Sequence, residues 1–143
     1  DCDQVAFLDA VEHRWVEELG GMNLFFVFQD GRIVTPTLTG TILEGVTRDS
    51  VLQLARDAGY DTGERPISID EWRETAASGE LAEVFACGTA AVITPIGVLC
   101  SEHERIVCTP DDGGEVGLTL RTRLLDLQYG RSADERGWLT RLA

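Results

Sequence analysis

Short apolar runs separated by polar turns dominate the first third of the chain, and the hydrophobic period changes repeatedly after that. Val5 to Leu8 reads as a buried strand, and Arg14 to Glu18 reads as a short partner strand across the polar turn at Glu12-His13. Asn23-Leu24-Phe25-Phe26-Val27-Phe28 is rich in residues suited to a buried pleated surface. Asp30-Gly31 marks a hairpin turn, and Arg32 to Thr35 returns from it. Thr37 to Gly45 reads as a loop. Val51, Leu54, Ala55 and Ala58 then recur at helical spacing, with Gly59 as a stop. Asp61 to Ile67 predicts a strand, and the capping box Ser68-Ile69-Asp70-Glu71 opens a helix that ends at Gly79. Glu83 to Cys87 and Ala91 to Ile93 predict strands, the second limited by Pro95, and Gly97 to Leu99 should pair with Arg105 to Cys108. After a turn from Pro110 to Gly114, Val116, Leu120, Leu124 and Leu127 trace a helical stripe closed by Gly130. No repeat, low-complexity segment or linker interrupts this order. Intermingled strands and helices predict an α/β or mixed α+β fold with a mixed sheet.

A chain of 143 residues predicts one domain and buries roughly 70% of its unfolded surface. No apolar run approaches the ~20 residues of a membrane helix. The net charge of −13 argues against nucleic acid and against anionic membrane surfaces. It leaves a small phosphate ligand open, because backbone N–H groups at a helix start act locally. Cys2, Cys87, Cys100 and Cys108 form no dense disulfide framework, which points to a reduced, cytoplasmic compartment. All twelve basic side chains are arginine, so the chain has no lysine amine to bond an aldehyde cofactor. Asp1 stands almost directly before an apolar run, as if the sequence began within a fold, so an upstream portion is expected.

Three stretches can carry chemistry. In the first, Gly45-Val46-Thr47 enters a helix at Arg48. Glycine allows close backbone approach, and the first N–H groups of a helix lack internal partners, so with the Thr47 hydroxyl they can hold a phosphate. The same residues also fit plain helix capping by Thr47. In the second, Gly88-Thr89-Ala90-Ala91 follows a buried strand with unobstructed N–H groups, suited to an anion or to a tight turn whose small side chains merely pack. In the third, Glu17-Glu18-Leu19-Gly20-Gly21-Met22-Asn23-Leu24-Phe25, a carboxylate precedes a glycine pair and then a buried strand. By the two-residue period, one acid faces an enclosed site while its neighbour faces solvent. A solvated Glu pair is the other reading.

Taken together, in this order and spacing, Val16 to Phe26, Leu43 to Asp49 and Glu83 to Pro95 resemble the class IV aminotransferases of fold-type IV, and most closely the branched-chain amino acid aminotransferases. The resemblance implies the C-terminal cofactor domain of that fold over residues 1–143, a mixed sheet or pseudo-barrel with flanking helices. It implies pyridoxal 5'-phosphate as cofactor, with Glu18 on the ring nitrogen and the phosphate on the Val46 and Thr47 backbone, the Thr47 hydroxyl and Thr89. Gly21, Ala90 and Ala91 would line the substrate side. The implied reaction moves the amino group of leucine, isoleucine or valine to 2-oxoglutarate in a homodimer. The family's Schiff-base lysine and small N-terminal domain would lie upstream of Asp1, so this segment alone is expected to be inactive.

Two other functions fit the same residues: a non-catalytic module binding the cofactor or another small phosphate, and, within the fold, a D-amino acid aminotransferase or an aminodeoxychorismate lyase. Some relatives carry a redox Cys-x-x-Cys where this chain has Ala91 and Thr94, so no such thiol switch is expected. Cys100, His103 and Cys108 match no common zinc spacing. His13 reads as a solvated turn residue, Trp15, Trp72 and Trp138 as core or interface aromatics, and the acidic surplus as a solvated surface.

Overall fold

The computed structural model describes residues 2–110, 113–140 and 142. In chain order the elements are β1 (Ala6–Leu8), β2 (Val16–Leu19), β3 (Met22–Phe28), β4 (Arg32–Thr35), α1 (Val46–Asp57), β5 (Asp61–Glu64), α2 (Ile69–Ser78), β6 (Leu81–Gly88), β7 (Val92–Pro95), β8 (Val98–Cys100), β9 (Arg105–Val107) and α3 (Glu115–Gln128). Among the described residues, β1 to β7 form one mixed sheet and β8–β9 a separate antiparallel hairpin. β3 is the spine. One edge pairs with β6 along its whole length, and the other pairs with β2 near the start and β4 near the end. β4 and β5 are parallel and joined through α1, the connection such a pair requires.

Both faces of β3 are buried, which explains its nearly continuous apolar sequence. Leu24, Phe26 and Phe28 pack on one side with Val16, Leu19, Val34, Trp72 and Ile106, under α2 and the β8–β9 hairpin. Phe25 and Val27 pack on the other with Ile33, Val51, Phe85, Ile93, Leu120 and Leu124, under α1 and α3. Trp72 meets Phe26 edge-on at 4.9 Å, and Phe25 stacks on Phe85 at 5.1 Å. Such pairs add about 0.5–1.5 kcal/mol beyond the area they bury.

The predicted strands and helices are present with shifted ends, but the first strand is not buried: as the edge of the sheet it leaves Val5 and Phe7 exposed. The ladder of the fifth strand stops at Glu64 rather than Ile67, since Pro66 has no N–H to donate. The second strand starts at Val16, preceded by an isolated Trp15–Ser68 bridge. The first helix starts at Val46, not Arg48. Gly113 donates to the Pro110 carbonyl at 2.9 Å in the predicted turn, whose Asp111 and Asp112 lie outside the described residues. Between β1 and β2, the backbone N–H groups of Glu12, Trp15, Arg14 and Val11 all donate to the Asp9 carboxylate and hold its pKa far below the ordinary range.

The thiols divide by burial. Cys2 and Cys100 are exposed, and Cys87 and Cys108 are buried. Burial pushes Cys87 up to about 12 and Cys108 up to about 11. At pH 8 the thiolate fractions are then about one in ten thousand and one in a thousand. A disulfide-exchange reagent should therefore titrate two thiols quickly and the other two only in denaturant. A third fast thiol would show that the sheet face opens in the native state.

Candidate functional site

The site is laid out by one row of side chains across the sheet. Glu18 pairs with Asn23, Asn23 with Cys87, and Cys87 with Ile93. Directly paired residues share a face, and Cys87 and Ile93 belong to the α1–α3 side. Glu18 therefore emerges on the side that carries α1. Its carboxylate is half-buried, and no described residue donates a hydrogen bond to it.

The strict alternation expected of Glu17 and Glu18 does not hold. Ala6 pairs with Leu19 but Leu8 pairs with Val16, so two residues of β2 stand opposite the single Phe7. This is a bulge, and it lets Val16 and Leu19 both reach the α2-side core. Glu17 is consequently not turned to solvent. It is half-buried, and its carboxylate accepts from the Thr41 hydroxyl at 2.6 Å.

The loop leading into α1 is held to the same row. Asn23, only 7% exposed, donates from Nδ2 to the Leu43 carbonyl at 2.8 Å. Its Oδ1 lies so close to Gly45 that a Cβ there would sit 2.3 Å from it. Gly45 also has φ +71°, so this position excludes side chains on two counts. Gly45 is the N-cap of α1, and no side chain caps the helix. The Thr47 hydroxyl is not the cap that its sequence position suggested. It has no hydrogen-bond partner among the described residues, and neither do the N–H groups of Val46, Thr47 and Arg48. The other two helix starts differ: Ser68 accepts from Glu71 N–H at α2, and Glu83 accepts from Val116 and Gly117 at α3. Among the described residues, α1 thus presents an unfilled donor set of the kind that receives anions.

Arg48, in the first turn of α1, is 4% exposed and donates from Nη2 to the Pro36 carbonyl at 3.0 Å and to Glu64 at 2.7 Å. A cation at a helix start runs against the dipole preference, and Glu64 balances it from β5. Arg48 also acts on Cys87, lowering its pKa, though burial outweighs this. Leu43 and Val46 are exposed apolar side chains flanking the helix start.

Two turns complete the site end of the sheet. Gly20-Gly21 joins β2 to β3 with Gly20 at φ +64°, and Gly21 is exposed with open space around it. Thr89-Ala90-Ala91 joins β6 to β7, beside the first turn, because a Cβ on Gly88 would contact the Met22 side chain at 3.3 Å. Thr89 and Ala90 are exposed rather than packed into the core, and Thr89 has no hydrogen-bond partner among the described residues. Val92 closes this turn at φ +59°, a left-handed conformation that is rare for a β-branched residue. Such strain persists only where the surroundings enforce it.

The three motifs therefore converge on one face and one end of the sheet. Thr41 joins them without having been singled out in the sequence, and Asn23 and Glu17, which stand in the third stretch, take roles that their positions there did not suggest. The signal was slight, an amide in an otherwise apolar strand. Cys108 is buried while Cys100 and His103 are exposed, so those three do not share an environment.

A family model described as amino-transferase class IV matches residues 1–99, and the chain belongs to that family. It is 55% identical over 142 residues to a probable branched-chain-amino-acid aminotransferase of Streptomyces coelicolor, spanning 99% of this chain and 39% of that protein. It is 53% identical over 144 residues to the branched-chain-amino-acid aminotransferase of Mycolicibacterium smegmatis, with the same coverage. The chain thus spans about two fifths of the length of these relatives. Among solved structures it is similar to the branched-chain amino acid aminotransferase from Thermobaculum terrenum in its PLP-bound holo-form, with TM-score 0.72 and 31% identity over 96% of this chain and 41% of that one. The Escherichia coli branched-chain amino acid aminotransferase gives TM-score 0.73 and 29% identity over 96% and 41%.

Proposed function

We propose that residues 1–143 form the cofactor-holding domain of a pyridoxal-phosphate-dependent branched-chain amino acid aminotransferase. The observation that carries this reading is the pairing of two groups on one face that have no partner among the described residues: the start of α1 and the Glu18 carboxylate, linked through Asn23. An anion acceptor and a cation partner fixed at opposite ends of one site match a phosphorylated, protonated pyridine. Bound there, the cofactor supplies an electron sink for chemistry at the amino-bearing carbon.

The chain's own residues then divide the work. The Val46 and Thr47 N–H groups, the Thr47 hydroxyl and Thr89 hold the phosphate. Glu18 keeps a proton on the ring nitrogen by its charge. The open space at Gly21 admits substrate, and the Ala90 and Ala91 amides face its carboxylate. The covalent bond to the cofactor aldehyde is not made by a lysine of these 143 residues, so their role is noncovalent. Leucine, isoleucine and valine with 2-oxoglutarate are the substrates this reading assigns. A homodimer and a cytoplasmic location belong to it as well, the latter supported by four free cysteines.

Pyridoxamine 5'-phosphate needs no lysine, so it tests the seat directly. Calorimetry should show saturable one-site binding to this chain, and Thr47→Val should weaken it about tenfold, the loss of one charge-assisted hydrogen bond. No binding to the unsubstituted chain would remove the reading. On a polypeptide that also supplies the lysine, faster turnover of D-alanine than of leucine would transfer it to the D-amino acid branch.

A further inference from the structure

The loop between β4 and α1 is tied back to the β2–β3 hairpin at two points. Asn23 donates to the Leu43 carbonyl from within the sheet, and Glu17 accepts from Thr41, whose hydroxyl also contacts that of Thr39 at 2.8 Å. These ties have different surroundings, the first part-buried and the second exposed. They share one geometric consequence. Glu18 follows Glu17 in β2 and pairs directly with Asn23 in β3, so the hairpin that carries the carboxylate also carries both anchors of the loop that carries Gly45, Val46 and Thr47. A Cβ on Gly45 would lie 2.3 Å from Asn23 Oδ1, so this point of the loop accepts only glycine beside the Asn23 side chain.

We propose that Asn23 and the Glu17–Thr41 pair are positioning residues, which fix the separation between the Glu18 carboxylate and the start of α1. This rests on the reading of the site given above. A ligand held at both ends gains from the second contact only if the spacing is already set; otherwise each end binds as a separate fragment. The bulge in β2 is part of the device, since without it Glu17 would face away from the loop.

The test compares a two-ended probe with its halves. Pyridoxamine 5'-phosphate, pyridoxamine and inorganic phosphate are titrated by calorimetry into the unsubstituted chain, Asn23→Ala and Thr41→Val, with thermal melts as a folding control. Asn23→Ala should weaken pyridoxamine 5'-phosphate about tenfold and Thr41→Val about threefold, in keeping with one part-buried hydrogen bond from a buried amide and one exposed hydrogen bond. Both variants should bind the two fragments within about twofold of the unsubstituted chain. If Asn23→Ala does not fold, the Thr41→Val comparison decides alone, because that pair is exposed. Equal losses for probe and fragments would show a merely structural tie and overturn the proposal. So would unchanged binding of all three. Failure of the unsubstituted chain to bind pyridoxamine 5'-phosphate overturns the parent reading, and this one with it.

Discussion

Replacing Glu83 with alanine should cost about 3–5 kcal/mol of stability, measured by urea unfolding followed through tryptophan fluorescence. Glu83 lies in β6 opposite Val27, and only 6% of it is exposed. Each carboxylate oxygen accepts a backbone N–H at the start of α3, from Val116 and Gly117, both at 2.9 Å. The alanine variant leaves these two donors without partners, one of them on the buried Gly117, and removes a negative charge from a helix N-terminus. It also empties the volume against which Gly114 is pressed, where a Cβ would lie 2.4 Å from Glu83 Cδ.

Typical domains are stable by only about 5–15 kcal/mol, so the loss is a large fraction of the whole. Glu83→Gln should recover part of it, since one oxygen still accepts while the amide group faces an N–H. Pyridoxamine 5'-phosphate affinity should stay within about twofold wherever the variant is folded, because α3 lends no group to the site. A stability loss below about 1 kcal/mol would mean that α3 does not depend on this cap.

The strands, the helices and the three candidate ligand stretches could be picked out in the sequence because each rests on local chemistry. Periodicity betrays the helices, Asp30-Gly31 the hairpin and Ser68 to Glu71 the cap of α2. What could not be read depends on contacts far apart in sequence. The role of Glu83 is set by a helix 33 residues later, so in sequence it is only an acid in a strand. The bulge at Glu17-Glu18 exists because two core residues and a neighbouring strand demand it, and a two-residue period cannot foresee that. Asn23 is an amide among aromatics until the Leu43 carbonyl arrives beside it. Thr47 shows the converse error. Its sequence position is that of a capping residue, but the helix begins one residue earlier than Thr47, at Val46, which leaves its hydroxyl without a partner among the described residues.

Glu18 is where the proposed chemistry should respond most. Its carboxylate is half-buried, lacks a donor among the described residues and stands beside Asn23 on the α1 side of the sheet. A fixed negative charge at the ring end favours the protonated pyridine, so the bound ring should release that proton at a higher pH than the free ligand does. Opposite charges within a few ångströms move such a value by about one to three pH units.

In Glu18→Ala the pH at which bound pyridoxamine 5'-phosphate changes its absorption spectrum should fall by about that amount, and affinity near neutral pH should drop about ten- to a hundredfold. Glu18→Gln keeps the volume and removes the charge, so it should reproduce the spectral change and separate charge from packing. Inorganic phosphate should bind both variants as it binds the unsubstituted chain. Thr41→Val, which loosens the loop and leaves the carboxylate in place, should weaken pyridoxamine 5'-phosphate without moving the spectral transition. A Glu18→Ala spectrum that titrates where the unsubstituted chain does would take the ring nitrogen away from Glu18, and would leave the start of α1 as a phosphate seat only.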